Sequence, residues 1–303
     1  MTSEHATTGE ALAQARARLR EAGLPEADLD ARLLVGWSTG LDATGLFLRE
    51  REPVDPNASA RLDAALDRRL AGEPVHRIVG RRAFFDHEFH LSRETLEPRP
   101  DTEALVHLAS RALSQGPAEP LIADVGTGTG ILAVSLLALH PEALCVATDL
   151  SEGALATAGR NAHEAGVAER FLPLRADFLA PFADGSLDVV VSNPPYIPTG
   201  DLARLSREVR EHDPVLALDG GADGLVAYRA IVGEAERVLR PAGELLLEIG
   251  IGQEGDVARI AATHGFRLVA RERDLSGIVR ALRFARAAPE SHKDGENRME
   301  TIG

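Results

Sequence analysis

The chain has 303 residues, 44% of them hydrophobic, with a formal net charge of −14. That is enough for one large domain or two ordinary ones with a packed core. No apolar run approaches the roughly 18 residues a membrane helix needs, and an acidic chain lacks the positive footprint that tight nucleic-acid binding demands.

The opening stretch MTSEHATTGEALAQ has no basic start followed by an apolar run, so no secretory signal is expected. The single cysteine, Cys145, lies in the apolar run ALCVATDL and reads as a core residue in a reducing cytoplasm. The first eighty or so residues read as helices. Thr7-x-x-Glu10 has the form of a capping box, and Leu12, Ala15 and Leu19 follow at helical spacing. Gly23 ends that helix. Pro25 opens the next, whose apolar side is expected to carry Leu29, Leu33, Leu34 and Trp37. Asp55-Pro56 resembles a cap and first turn before Leu62, Leu66 and Leu70. These residues carry no evident chemistry, and a small helical domain over 1–82 is expected, with partner recognition as its functional role.

Residues 83–97, AFFDHEFHLSRETLE, alternate in places with period two and fit a hairpin linker. An apolar helix from Ala104 to Leu113 follows EPRPDTEAL. From residue 121 strands and helices alternate, which predicts an α/β, doubly wound Rossmann-like domain over 98–286 with a parallel sheet covered on both faces. In such sheets ligands sit beyond the carboxyl ends of the strands. Residues 287–303 are polar and aperiodic, and read as a disordered tail.

Four strand ends carry candidate site residues. DVGTGTG follows the first strand, and Gly126, Gly128 and Gly130 let the backbone turn tightly around a ligand, with Thr127 and Thr129 between them. Such a turn alone also serves merely to join strand to helix. Asp149 ends the second strand, where a carboxylate can accept both hydroxyls of a ribose; it would equally suit a cap before Ser151. Asp177 and Phe178 end the third, suited to the edge and face of an adenine. Asn193 ends the fourth. Together these suit S-adenosylmethionine. They suit a dinucleotide less well, because the spacing is Gly-x-Gly-x-Gly rather than Gly-x-Gly-x-x-Gly. No metal is expected.

The strand VVVSN runs into Asn193-Pro194-Pro195-Tyr196. Proline nitrogens donate nothing, so the corner is stiff and its carbonyls are free to face a ligand. Two acceptors, Asn193 Oδ1 and the Pro194 carbonyl, can hold both hydrogens of a planar NH2 group while Tyr196 packs over it. An amide nitrogen is a poor nucleophile, and this grip stabilises the positive charge that develops on it as a methyl group arrives. No strong base is needed; His212, the nearest histidine, reads as structural.

At this point the chain resembles a known family, the N5-glutamine methyltransferases that modify peptide chain release factors. The match runs through EPVHRIVGRRAFFDHEFH, EPRPDTEALV, DVGTGTGILAVSL, VVVSNPPYIP, EVREHDPVLALDGGADGL and GELLLEIGIGQ. The Asn-Pro-Pro-Tyr motif alone is shared with enzymes that methylate amino groups of adenine and guanine, so it indicates only the acceptor type. The resemblance implies a substrate, the glutamine of the Gly-Gly-Gln loop of class I release factors. It also implies that Gly126 to Gly130, Asp149, Phe178 and Asn193 contact the cofactor, that Asn193 to Tyr196 hold the glutamine amide, and that Arg99, Thr102 and Glu103 wall the site. One departure is Glu97, where the family often has an apolar residue; a charge there alters local packing and the surface. The alternatives are a ribosomal-protein glutamine methyltransferase, a nucleic-acid amino methyltransferase (disfavoured by the charge and by Lys293 being the only lysine), and a non-catalytic binding module. A cytoplasmic monomer that binds neither membrane nor nucleic acid is expected.

Overall fold

A computed structural model describes residues 7–286; the expected tail over 287–303 lies outside them. The N-terminal unit packs α1 (Thr8–Glu21), α2 (Ala27–Thr39), α3 (Ala43–Leu48), α4 (Pro56–Leu70) and α5 (Val75–Val79) around one apolar cluster. Its helix starts follow the local sequence. Thr7 Oγ1 accepts from Glu10 N at 3.2 Å, and Asp55 Oδ1 accepts from Asn57 N at 2.9 Å with Pro56 in the first turn.

The buried stripe of α2 differs from the expected one. Leu34 is buried, but Leu29 and Trp37 remain 47% and 38% exposed, and the inward face is instead Ala27, Asp30, Ala31, Leu34, Val35 and Ser38. Small residues let α2 approach α1, whose own buried face is Thr8, Ala11, Ala15 and Leu19. Asp30 is drawn inside by Arg69 of α4, whose Nε donates to Asp30 Oδ2 at 2.6 Å. A count of apolar residues ranks Leu29 above Asp30, and so misplaces the face.

The chain then forms a hairpin, β1 (Arg81–Phe84) and β2 (His87–His90), paired antiparallel from Arg81↔His90 to Phe84↔His87. The second unit contains α6 (Glu103–Leu113), β3 (Leu121–Val125), α7 (Ile131–Leu139), β4 (Leu144–Asp149), α8 (Glu152–Glu164), β5 (Phe171–Arg175), β6 (Leu187–Ser192), α9 (Arg207–His212), α10 (Val226–Val238), β7 (Leu239–Glu248), α11 (Glu254–Thr263), β8 (Phe266–Arg273) and β9 (Val279–Arg286). The sheet order is β5-β4-β3-β6-β7-β9-β8. One apolar cluster joins α6, α7 and α8 to one face, and a second joins α10 and α11 to the other. Cys145 is buried in the first, and burial pushes its thiol up.

The sheet is mixed, which corrects the expectation of a parallel one. β9 runs antiparallel to both β7 and β8. The connection between β8 and β9 is a tight turn, with Asp274 Oδ1 accepting from Ser276 N and Ile278 N at 2.9 Å each. So short a loop reverses the chain; parallel strands need a crossover of a dozen residues or more. The five parallel strands keep the order that matters for a site. The chain winds outward from β3 through β4 to β5, then returns to β6 on the other side, leaving a switch point between β3 and β6.

Removing Asp30 leaves the buried Arg69 Nε without its acceptor and only Glu208, at the other end of the guanidinium, to balance the charge, whereas removing Asp55 only uncaps α4. Asp30→Ala is therefore expected to cost roughly 3 kcal/mol of stability and Asp55→Ala about 1 kcal/mol. Denaturant unfolding of the two variants checks this, and the reverse ranking would refute the account of the α2 face.

Candidate functional site

The switch point opens onto a cavity of about 330 Å³. Its walls come from the ends of four adjacent strands. β3 delivers the glycine turn, in which Gly126, Gly128 and Gly130 have φ of +71°, +54° and +82°. Those values strain any side chain. A Cβ at Gly130 would also lie 3.1 Å from Ala158 Cβ of α8, so this glycine lets two helices approach. Asp124, at zero exposure, holds the turn from beneath. Its Oδ2 accepts from Thr127 Oγ1 at 2.7 Å and from Ala133 N at 3.1 Å. Burial pushes its carboxyl up to about 6, against the pull of those two donors. Asn161 of α8 fastens the same turn to the hairpin, donating to the carbonyls of Thr129 at 2.8 Å and His90 at 3.2 Å while accepting from His90 N at 2.8 Å.

β4 ends on Asp149, whose two oxygens each take one backbone donor: Gly128 N at 3.0 Å and Ser151 N at 2.9 Å. Ser151, not Asp149, caps α8, accepting from Ala154 N at 3.1 Å. A carboxylate offers about four lone pairs, so Asp149, which lines the cavity, keeps about two unused. Beyond β5, Asp177 and Phe178 line the same cavity, and Phe178 has φ +45°. A bulky residue in that region is strained, and such strain gathers at ligand sites.

β6 ends on Asn193. Asn193 lines this cavity and a second one of about 300 Å³ on its far side. Its Nδ2 points inward and donates to Thr102 Oγ1 at 3.3 Å, which leaves Oδ1 for the cavities. Among the described residues nothing donates to the Pro194 carbonyl. Three glycines crowd the turn: a Cβ at Gly220 would sit 2.8 Å from the Pro195 carbonyl oxygen, at Gly224 2.4 Å from that of Tyr196, and at Gly250 3.0 Å from the Tyr196 ring. Gln253 staples the turn, its Nε2 donating to the Tyr196 carbonyl at 3.0 Å. Burial pushes the Tyr196 phenol up to about 12, so it is neutral at any ordinary pH.

Arg99 lines both cavities and is held by Asp213 Oδ2 at 2.7 Å. Asp213 is buried, and its other oxygen takes Arg77 of α5 at 2.6 Å. Glu208 of α9 likewise takes Arg69 at 2.7 Å. Two arginines of the helical unit therefore grip the segment that supplies Ala217 to both cavities.

The fold brings most of the expected residues together. Arg99, Thr102, Gly126 to Thr129, Asp149, Asp177, Phe178, Asn193 and Pro195 line the first cavity, and Tyr196 lines the second. Gly130, Pro194 and Glu103 line neither; Gly130 caps α7, Pro194 is buried in the turn, and Glu103 begins α6, where a carboxylate suits the helix dipole. Glu97 is not a surface charge. It is 5% exposed, lines the first cavity and is paired with Arg82 of the hairpin. His212 lines neither cavity, and no described histidine does. Asp124, Asn161, Gln253 and Asp213 were not expected at the site. For Gln253 and Asp213 the only available signal was their place in the stretches GELLLEIGIGQ and EVREHDP. Among the described residues no group of acidic, histidine or cysteine side chains is arranged to hold a metal, and no helix is long and apolar enough to cross a membrane.

Two family models match the chain: PrmC N-terminal domain over residues 10–80 and methyltransferase small domain over residues 102–209. A release factor glutamine methyltransferase of Agrobacterium fabrum is 44% identical over 284 residues, covering 93% of this chain and 98% of its own length. One from Moorella thermoacetica is 42% identical over 260 residues, covering 86% and 91%. Among solved structures, a release factor-specific protein-(glutamine-N5) methyltransferase from Alicyclobacillus acidocaldarius is 32% identical, covers 63% of this chain and 94% of its own, and superposes with a TM-score of 0.39. With such identity along nearly its whole length, the chain belongs to the release factor glutamine methyltransferase family.

Proposed function

We propose that this chain transfers a methyl group from S-adenosylmethionine to the side-chain amide nitrogen of the glutamine in the Gly-Gly-Gln loop of class I release factors. One observation carries the reading: Asn193 stands between two cavities with its NH2 group turned away and its oxygen available. The first cavity suits the cofactor. Its volume lies within the range of small-molecule sites, its floor is a glycine turn, and Asp149 keeps acceptor capacity toward it. Phe178 is placed to cover an adenine face, with Asp177 at its edge. The second cavity, walled by Tyr196, Ile197, Leu205 and Val209, suits the glutamine side chain.

The bound cofactor supplies an electrophilic methyl group on a sulfonium sulfur. Asn193 Oδ1 and the Pro194 carbonyl each accept one hydrogen of the glutamine NH2, which aims the nitrogen at the first cavity. As that nitrogen gains positive charge, both acceptors stabilise it, and the proline-stiffened backbone needs no reorganisation to do so. Holding the two reactants in one orientation contributes the rest. Tyr196 serves as a wall and not as a base, because its phenol stays protonated. The alkylated amide passes its proton to water, consistent with the lack of a histidine in either cavity. The helical unit over residues 1–82, the linker over 83–97 and the catalytic unit over 98–286 divide the work. The helical unit recognises the release factor and is tied to the site through the Arg69–Glu208 and Arg77–Asp213 pairs. The protein acts as a cytoplasmic monomer without nucleic acid.

Incubating the full chain with a purified release factor and S-adenosylmethionine should add about 14 Da, one methylene, to the peptide that holds Gly-Gly-Gln, read by mass spectrometry; an unmodified glutamine would overturn the proposal. Asn193→Ala should lower kcat by on the order of 10²-fold with cofactor affinity retained, because one acceptor for the developing charge is lost. Asp149→Ala should leave the Asn193 corner intact and weaken cofactor binding by about 1–3 kcal/mol. Calorimetry showing unchanged affinity in that variant would contradict the ribose assignment.

A further inference from the structure

Glu248 closes β7 directly behind the site. It is 2% exposed, and Thr102, which it adjoins, is fully buried. Its carboxylate faces the side chains of Thr102 and Asn193, which act on it as hydrogen-bond donors and hold it below where burial alone would put it. Asn193 Nδ2 also donates to Thr102 Oγ1 at 3.3 Å. An ionised carboxylate only accepts. Thr102 must then spend its single hydroxyl hydrogen on Glu248, and offers Asn193 a lone pair. Both buried partners of the Asn193 side chain are therefore acceptors. The end of the side chain that faces them has to be NH2, and the carbonyl oxygen has to face the cavities. A flipped Asn193 would set its oxygen against two acceptors, and would present hydrogens where the substrate amide brings its own.

We infer that Glu248, acting through Thr102, is a positioning residue that locks the Asn193 carboxamide with Oδ1 toward the substrate. The inference deepens the proposed function and rests on it for the identity of the substrate. The charge makes the lock one-way: protonated, Glu248 becomes a donor, Thr102 is free to reverse, and both orientations of Asn193 are satisfied. Burial disfavours the charged form and pushes this carboxyl up to about 7. Asp101 across the packing raises it further, while Arg280 of β9, which pairs with Asp101 at 2.7 Å, lowers it along with the two hydrogen bonds. The remaining ionisable neighbours, Tyr196 and Tyr228, are held as neutral phenols by burial. The other Glu248 oxygen, Oε2, has no hydrogen-bond partner among the described residues, so nothing else anchors the charge. The active form is the ionised one, and activity falls as pH drops through the carboxyl's own range.

The test uses the full chain labelled with ¹⁵N, following the side-chain NH2 signals of Asn193 from pH 5.5 to 8.5 alongside kcat for release-factor methylation. In the unmodified protein the Asn193 signals should shift with one midpoint near 7, and kcat should rise over the same range. Glu248→Gln, which is uncharged but still polar, should remove that midpoint from both measurements. Glu248→Leu should lower kcat at pH 8 by on the order of 10-fold or more, since a misaimed group costs that much, while KM for the release factor and the cofactor Kd change less than about twofold. A role in folding alone would shift KM, Kd and melting temperature without an Asn193 midpoint. Asn193 signals that are pH-invariant, a midpoint that survives in Glu248→Gln, or wild-type kcat in Glu248→Leu would each overturn the inference. Because the NMR readout needs no substrate, it decides the role of Glu248 even if the release factor proves not to be methylated.

Discussion

The structure depends on one constraint: at Asn193 and Pro194 the chain must leave hydrogen-bond acceptors unused, in a region where most polar groups are paired. Buried polar groups without partners are costly, and a flexible loop would relax to satisfy them. Here it cannot. Pro194 and Pro195 remove two donors and stiffen the turn, glycines at 220, 224 and 250 let neighbouring segments press on it, and Gln253 pins its far end. The unused acceptors are a property of the whole surround, held in place for a ligand that brings two hydrogens.

Charge placement around this corner follows the same logic. Buried carboxylates at 124 and 248 stand beneath the glycine turn and beneath Asn193, and each has one oxygen without a partner among the described residues while donors from the site's own elements act on the carboxylate. Desolvation raises both carboxyls. Both are therefore costly to keep ionised, a cost that buys orientation rather than stability. Asp213 differs. It is flanked by two arginines from opposite sides, Arg77 of the helical unit and Arg99 of the site. The pairing makes the segment after α9 a mechanical link between the two units, so the helical unit and the cavity walls are not independent.

The acidic balance, the helical beginning, the strand–helix alternation and the four strand-end motifs were all legible from residue types and spacing. Caps at Thr7 and Asp55 and the positive-φ glycines are local matters, decided by a few adjacent residues, and they lie where the local pattern puts them. What could not be read locally was the direction of β9 within the sheet, the inward face of α2, and the burial of Glu97 against Arg82. Each depends on a partner distant in sequence, such as Arg69 for Asp30 across 39 residues.

By itself, then, the amino-acid sequence determined which turns are stiff, which are glycine-permissive, and which side chains can accept or donate, because those are properties of single residues and their immediate neighbours. Only the tertiary structure decided which way the Asn193 carboxamide points and what stands behind it. An amide is nearly symmetric in shape and is oriented by its environment, and that environment is assembled from Thr102 and Glu248, residues 91 and 55 positions away in the chain.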